Sequence, residues 1–451
     1  MQAVRAVVIP ELLLPAASLE KMRTAYAYGA DAVYAGQPRY SLRVRNNEFG
    51  LEQLEQGIRE AHALGKKFYV ASNLMPHNAK LKTYMADMQP VISMQPDALI
   101  MADPGLIAMV RERWPEVDVH LSVQANTINY AAVKFWQSLG LTRIILSREL
   151  SLDEIEEIRQ ECPDIELEVF IHGALCMAYS GRCLLSGYFN HRDANQGTCT
   201  NSCRWDYKVE SATEDGTGDI QKIDFDFDKA LSESTLSDCG SQPRHPLADR
   251  VYLISRPDHP EELMPVLEDE HGTYIMNSRD LRAVEHVERL VKIGIDSLKV
   301  EGRTKSVYYV ARTAQVYRLA IDDAAAARPF NLSLLGALDA LANRGYTDGF
   351  YERHHTHEQQ NYMRGHSENF RQQYVGDIVS CENGSAEIDV KNKFKVGDKL
   401  EIIHPSGNRV MELAGMQTLT GAAIKVAPGS GHRVQIPLQG DLAGGMVARF
   451  V

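Results

Sequence analysis

From residue 11 to about 175 the chain alternates short apolar runs with longer segments whose apolar residues recur at helical spacing. The runs are ELLLPA (11–16), DAVYAG (31–36), KFYVASN (67–73), DALIMAD (97–103), VDVHLSVQ (117–124), RIILSRE (143–149) and LEVFIHG (167–173). Runs this short and this apolar predict strands buried on both faces, as in parallel sheets covered by helices. The segments between them, such as SLEKMRTAYAYG and LEQLEQGIREAHALG, open on Ser or an acidic residue and close on Gly, as capped helices do. An eighth strand, DSLKVEG (296–302), follows a long interruption and leads into the helix YYVARTAQVYRLAIDDAAAA. Eight strand–helix units predict an α/β fold, a TIM-type (β/α)8 barrel. A doubly wound open sheet is the alternative, but no Gly-rich phosphate loop follows the first strand.

The pattern breaks twice. Between about 176 and 270, after strand seven, lies an insertion that begins with a cysteine run and continues through an acidic, Ser-rich stretch. Its few apolar residues predict a flexible surface segment. After residue 330 a helical and then irregular connector (331–373) precedes alternating strands punctuated by ENGS, VGDK, HPSGN and APGSG. That spacing predicts a small C-terminal antiparallel β-barrel domain over 374–451, beside a barrel domain spanning 1–330.

Composition narrows the setting. In 451 residues, 44% are hydrophobic and 24% charged, as in a globular protein of two or three domains. The opening MQAVRAVVIPELLLPAAS is too interrupted for a signal peptide, and no apolar stretch is long enough to span a membrane. A cytoplasmic location is expected, where structural disulfides are disfavoured. A net charge of −12 argues against broad binding of nucleic acid but leaves room for a local basic patch.

In such a barrel the reactive groups sit at the C-terminal ends of the strands. Those ends carry Asn73, Asp103, Gln124, Arg148, His172 and Glu301, with Lys299 and Arg303 on either side of Glu301. Nearby loops add Arg39, Arg43, Arg45 and Asn126. His172, Glu301, Arg148 and Asn73 are candidates for catalysis; Arg39, Arg43, Arg45, Gln124, Asn126, Lys299 and Arg303 are candidates for substrate binding. Several guanidinium groups around one mouth suit a small carboxylate ligand, although any one strand end is polar simply because it meets water.

The cysteine run starts where strand seven ends. Cys176, Cys183, Cys199 and Cys203 are spaced C-x6-C-x15-C-x3-C within polar, Gly-rich sequence unlike a core. Zinc favours two close pairs, and only the second pair is close. Thiolates without neighbouring histidines point first to an iron–sulfur cluster and second to zinc. Cys239 is an alternative fourth ligand, whereas Cys162 and Cys381 read as ordinary buried thiols. HHTH (354–357) reads as a solvated loop. Lys391, Lys393 and Lys395 alternate around Phe394, which suits either a lysine-protected edge strand or an RNA phosphate contact. No G-x-S-x-G, H-E-x-x-H or Walker-type loop is present.

EVFIHGALCMAYSGRCLLS (168–186) resembles the signature of the collagenase-like peptidase family U32, E-x-F-x-x-G-[AS]-[LM]-C followed by G-x-C-x-x-S. GADAVYAG, HLSVQAN, ILSRELS, RDANQGTCTNSCRW and SLKVEGR are similar to flanking blocks of that family, and the likeness reaches the C-terminal domain. The segment GQPRYSLRVRNNEF and the C-terminal barrel resemble a long, tRNA-modifying branch. The resemblance implies prephenate-dependent, oxygen-independent formation of 5-hydroxyuridine at the wobble position, supported by a 4Fe–4S cluster. It implies the tRNA anticodon loop as partner and Cys176, Cys183 and Cys199 as cluster ligands, with Cys203 favoured over Cys239 as the fourth. The family's peptidase label and a zinc-stapled RNA-binding scaffold are the competing expectations.

Overall fold

The computed structural model describes residues 9–41, 48–174, 279–341, 343, 345–352 and 372–450, together with short strand segments between 178 and 275. Eight parallel strands form its centre: β1 (Glu11–Pro15), β2 (Ala32–Gly36), β3 (Lys67–Ser72), β4 (Ala98–Met101), β5 (Val119–Leu121), β6 (Arg143–Ile145), β7 (Glu166–Ala174) and β8 (Ser297–Val300). Each pairs with the next, and β8 pairs with both β7 and β1, which closes the barrel as expected. Around it run α1 (Leu19–Ala27), α2 (Leu51–Ala63), α3 (Asn78–Ser93), α4 (Pro104–Arg113), α5 (Tyr130–Ser138), α6 (Leu152–Glu161), α7 (Val287–Ile293) and α8 (Val307–Ala325). Local signals set their ends. The Ser18 hydroxyl accepts from the Lys21 amide to start α1, and Ser151 with Glu154 forms a capping box on α6. Gly294 stops α7 in the left-handed region.

The apolar core fills the space between strands and helices, with Leu12, Leu14, Phe68, Val70, Leu99 and Leu167 all wholly buried. No helix among the described residues is long and apolar enough to cross a membrane.

The insertion departs from expectation. Its described backbone forms a five-stranded antiparallel sheet in the order Ile220–Lys222, Lys208–Glu214, Tyr252–Arg256, His259–Asp269, Gly272–Ile275. An antiparallel sheet needs apolar residues on one face only, so a polar composition did not exclude one. The chain returns through a short strand, Asp280–Arg282, antiparallel to the end of β7, and Tyr346–Thr347 adds beside it in parallel. Part of the expected irregular connector is therefore built into the barrel sheet, after a helix α9 (Ser333–Asp339). HHTH lies outside the described residues.

The C-terminal strands β9 (Gln372–Glu382), β10 (Ser385–Val390), β11 (Lys399–Ile403), β12 (Arg409–Glu412), β13 (Arg433–Pro437) and β14 (Met446–Phe450) pair antiparallel in the order β12-β11-β14-β9-β10-β13, an open half-barrel with its own core. It docks on α8 and α1. The buried Arg312 guanidinium donates to Glu401 at 2.5 and 3.2 Å, Tyr308 stacks on Tyr374 at 5.1 Å, and the Tyr28 hydroxyl donates to the Ile403 carbonyl at 3.0 Å.

Candidate functional site

In a closed parallel barrel alternate residues point inward, and here the inward positions carry charge. Arg143 opens β6 inside the barrel, buried to 2%. It donates to Glu11 at 2.6 Å, Glu166 at 2.8 Å and Glu168 at 3.2 Å. Lys299 of β8 donates to the other Glu168 oxygen at 2.7 Å, and the Tyr69 hydroxyl donates to Glu11 at 2.7 Å. Burial pushes the Lys299 ammonium below its ordinary range against the opposing pull of Glu168. Burial likewise holds His120 neutral, helped by the nearby Arg143 and Lys299 charges; its ring lies 4.7 Å from that of Tyr69. A charge buried on this scale persists only when paired.

Above this floor the strand ends bring together several of the expected site residues. The Asn73 amide donates to Gln124 Oε1 at 2.7 Å, and the Ser122 hydroxyl donates to the same oxygen at 3.1 Å. Asn126, left-handed at φ 51°, donates to the Gln124 carbonyl at 3.1 Å. These form one neutral, amide-rich side of the mouth. The cationic side comes from β6 and β8. The Lys299 ammonium lies 4.4 Å from the centre of the Tyr34 ring. Arg303 donates to the Ser41 hydroxyl at 2.7 Å with its guanidinium 5.8 Å from the same ring. Arg148 stacks 3.8 Å over the Phe170 ring and donates to the Ala174 carbonyl at 2.7 Å, so it grips β7 two residues before Cys176. The half-buried Glu301 receives the Tyr309 hydroxyl on its carbonyl at 2.8 Å.

His172 is placed elsewhere than expected. The register of β7 against β8 shifts after Lys299–Phe170, so His172 pairs with Val300. That shift turns its ring from the barrel axis to the outer layer. There it is 1% exposed, with ring centres of Tyr309, Tyr317 and Tyr346 at 5.4–5.7 Å. The Tyr317 hydroxyl donates to the Ile171 carbonyl at 2.8 Å, which leaves Nδ1–H of His172 to donate to that hydroxyl at 3.2 Å. Burial, then Lys305 and Arg282, push the imidazole down to about 3. It is a neutral packing group behind the β7 end. Gly173 follows at φ 105°, where a Cβ would stand 2.5 Å from the Glu301 carbonyl oxygen.

Two more expectations change. Arg39 turns away from the mouth to Asp87 of α3 at 2.7 Å, where the Tyr40 hydroxyl also donates. Asp103 caps α4 by accepting from the Leu106 amide at 2.9 Å. Arg43, Arg45, Cys176, Cys199, Cys203 and Cys239 lie outside the described residues. Cys183 is described through its backbone, in the strand Arg182–Cys183 that pairs with Ala178–Tyr179 just beyond β7. Cys162 is buried and Cys381 half-buried. Glu11, Arg143, Glu166, Glu168, Tyr69 and His120 are not among the strand-end candidates. For Glu11, Arg143, Glu166 and Glu168 the signal lies in the sequence: a charge in a strand that is otherwise apolar needs a partner.

Known proteins place the chain further. It is 60% identical over 434 residues to tRNA hydroxylation protein P of Escherichia coli, covering 96% of this chain and 94% of that protein. It is 58% identical over 436 residues to the protein of the same name from Haemophilus influenzae, with 96% and 94% covered. To tRNA hydroxylation protein P1 of Bacillus subtilis it is 35% identical over 402 residues, covering 88% of this chain and 84% of that one. Residues 17–361 match peptidase family U32 and residues 371–449 match the peptidase family U32 C-terminal domain. With both parts matched in order along nearly its whole length, the chain belongs to peptidase family U32.

Proposed function

We propose that this chain is a tRNA-hydroxylating enzyme that converts the wobble uridine to 5-hydroxyuridine in a prephenate-dependent, oxygen-independent reaction. The observation that carries this reading is the 60% identity, over 96% of the chain, to a tRNA hydroxylation protein. The mouth is consistent with it. Arg148 and Arg303 supply positive charge for a dicarboxylate such as prephenate, above a Lys299 ammonium committed to Glu168, and the amide groups of Asn73 and Gln124 offer the donors and acceptors that a uracil edge requires. Glu301 directly follows β8, between Lys299 and Arg303 in the chain.

A 4Fe–4S cluster would be held by Cys176, Cys183, Cys199 and Cys203, with Cys239 as the alternative fourth ligand. The donor set fits. The hairpin that opens the insertion folds Cys183 back against Ala178, two residues from Cys176, and soft thiolates without imidazole suit such a cluster. Bound there, the cluster would supply one-electron chemistry. Arg148 would hold the strand end from which the cysteines leave.

A peptidase reading would need an activated nucleophile. A Ser–His contact is present among the described residues, Ser406 Oγ to His404 Nδ1 at 2.7 Å, but it closes an exposed turn in which Nδ1 also accepts the Ser406 amide. Among the described residues no orienting third group accompanies it, so this reading gains no support. Nucleoside mass spectrometry of tRNA from a strain lacking the gene tests the proposal: 5-hydroxyuridine and its derivatives should disappear and return on complementation, and unchanged levels would sink it. Iron and sulfide content of anaerobically purified Cys176→Ala tests the ligand assignment, with undiminished iron as the adverse result.

A further inference from the structure

We infer that the loop Lys391–Lys395 of the C-terminal half-barrel, with Lys425 beside it, is a phosphate-contacting rail for the RNA backbone next to the barrel mouth. This rests on the tRNA reading above and adds where the polyanion is held.

The position follows from how the half-barrel is docked. α8 leaves the C-terminal end of β8, so its first turn lies at the mouth face, as does the first turn of α1 after β1. Tyr308, in the first turn of α8, stacks on Tyr374 of β9, and the Glu20 carboxylate in the first turn of α1 acts on the Tyr374 hydroxyl. Two turns further along α8, away from the mouth, Gln315 meets His404 and Asn408 instead. Residues 374–375 therefore mark the mouth end of the half-barrel. The lysine loop is tied to that end. The Lys391 and Asn392 amides both donate to the Val375 carbonyl, at 2.8 and 3.2 Å, and the Asn392 side chain donates to the Tyr374 carbonyl at 2.8 Å.

Charge follows position. Phe394 is wholly buried and anchors the loop, which leaves Lys393 and Lys395 exposed on either side of it. Lys395 faces Val426 across a two-residue ladder, and the Val396 amide donates to the Lys425 carbonyl at 2.9 Å, which brings Lys425 alongside. Lys391 is committed to Asp389 at 2.8 Å and Asp377 at 3.6 Å. The Asp398 carboxylate accepts from the Lys395 amide at 2.8 Å, but among the described residues no carboxylate comes within ion-pair distance of the ammonium groups of Lys393, Lys395 or Lys425. Residues 372–450 hold eight Lys and Arg against eight Asp and Glu, so the whole net charge of −12 resides in the rest of the chain. A polyanion bringing a base to the mouth is repelled by most of the protein and meets unneutralised cations here. Protection of a strand edge is the weaker account of these lysines, because the ladder is only two residues long and so short an edge is already a poor template for pairing.

Filter binding of unmodified tRNA to the full-length chain, across a range of salt concentrations, tests the rail. Lys393→Glu/Lys395→Glu should raise Kd at least about tenfold near 100 mM salt and flatten the salt slope by about 0.7–0.9 per lysine. Lys393→Gln/Lys395→Gln should fall between, and Lys134→Glu, on α5, should match the unaltered protein. All three side chains are exposed, so melting temperature should stay put. Binding and slope within twofold of the unaltered protein for the double charge reversal overturn the rail alone. An unaltered protein that binds no tRNA overturns both the rail and the functional reading.

Discussion

Removing the Glu168 carboxylate should expose how strongly the barrel interior depends on charge pairing. Glu168 is fully buried, 2.7 Å from the Lys299 ammonium and 3.2 Å from Arg143. At 2.7 Å two unit charges attract by about 6 kcal/mol at an effective dielectric of about 20. Most of that only offsets the desolvation of both ions. In Glu168→Gln, Arg143 keeps Glu11 and Glu166, so the loss falls on Lys299, left as an uncompensated buried cation. The expected destabilisation is about 3–5 kcal/mol. Lys299→Met leaves Glu168 facing Arg143 and should cost less, about 1–3 kcal/mol. The double variant should then be less destabilised than the sum of the singles by about 2 kcal/mol. pH supplies a second signature. Burial lowers the Lys299 pKa, so the folded state gives up that proton before the unfolded chain does. The penalty is full below the folded value and is relieved as pH rises through it. Without Glu168 that value drops further, so the Glu168→Gln deficit should shrink as pH is raised from neutral into the alkaline range. Equilibrium urea unfolding followed by circular dichroism reads all of these quantities. Additivity of the two singles within about 0.5 kcal/mol, or a deficit independent of pH, would refute the reasoning.

Three further outcomes follow from single contacts. Gly173→Ala puts a Cβ at φ 105° against the Glu301 carbonyl oxygen, so calorimetry should show a loss of about 2 kcal/mol or more, and an unchanged melting temperature would count against the close approach of β7 and β8. His172 is neutral when folded down to about pH 3 but charges near pH 6.5 when unfolded, so its share of stability is complete above about 6.5 and declines toward 3. Urea midpoints of His172→Asn should therefore fall less steeply over that window, by about one proton, and identical slopes would contradict a buried neutral imidazole. Arg312→Met leaves the Glu401 carboxylate without its counter-ion, held only by Gln372 and Asn408, and limited proteolysis should release a fragment containing residues 372–450, whereas an unaltered digestion pattern would show that this ion pair does not hold them together.

How much of this was legible beforehand depends on the range of the interaction. The eight strands, the capped helices between them and the separate β-domain are properties of consecutive residues. Period, caps and turn residues act within a few positions, so the sequence by itself determined the barrel and the place where the cysteines leave it. Asn73, Gln124 and Lys299 are candidates read the same way, from strand ends, and the structure joins the first two by a hydrogen bond. What only the tertiary structure decided involves register and partners. One shifted pair between β7 and β8 moved His172 from the mouth to a ring of tyrosines, because a slip of one residue sends a side chain to the opposite face. Arg143 and Glu11 stand 132 positions apart in the chain, and only closure of the barrel makes their charges satisfy each other. Arg39 found Asp87 on α3, a partner that strand-end counting cannot anticipate. The strand pattern is written locally, whereas the partner of a buried charge is chosen by whichever distant residue the closed fold brings within reach.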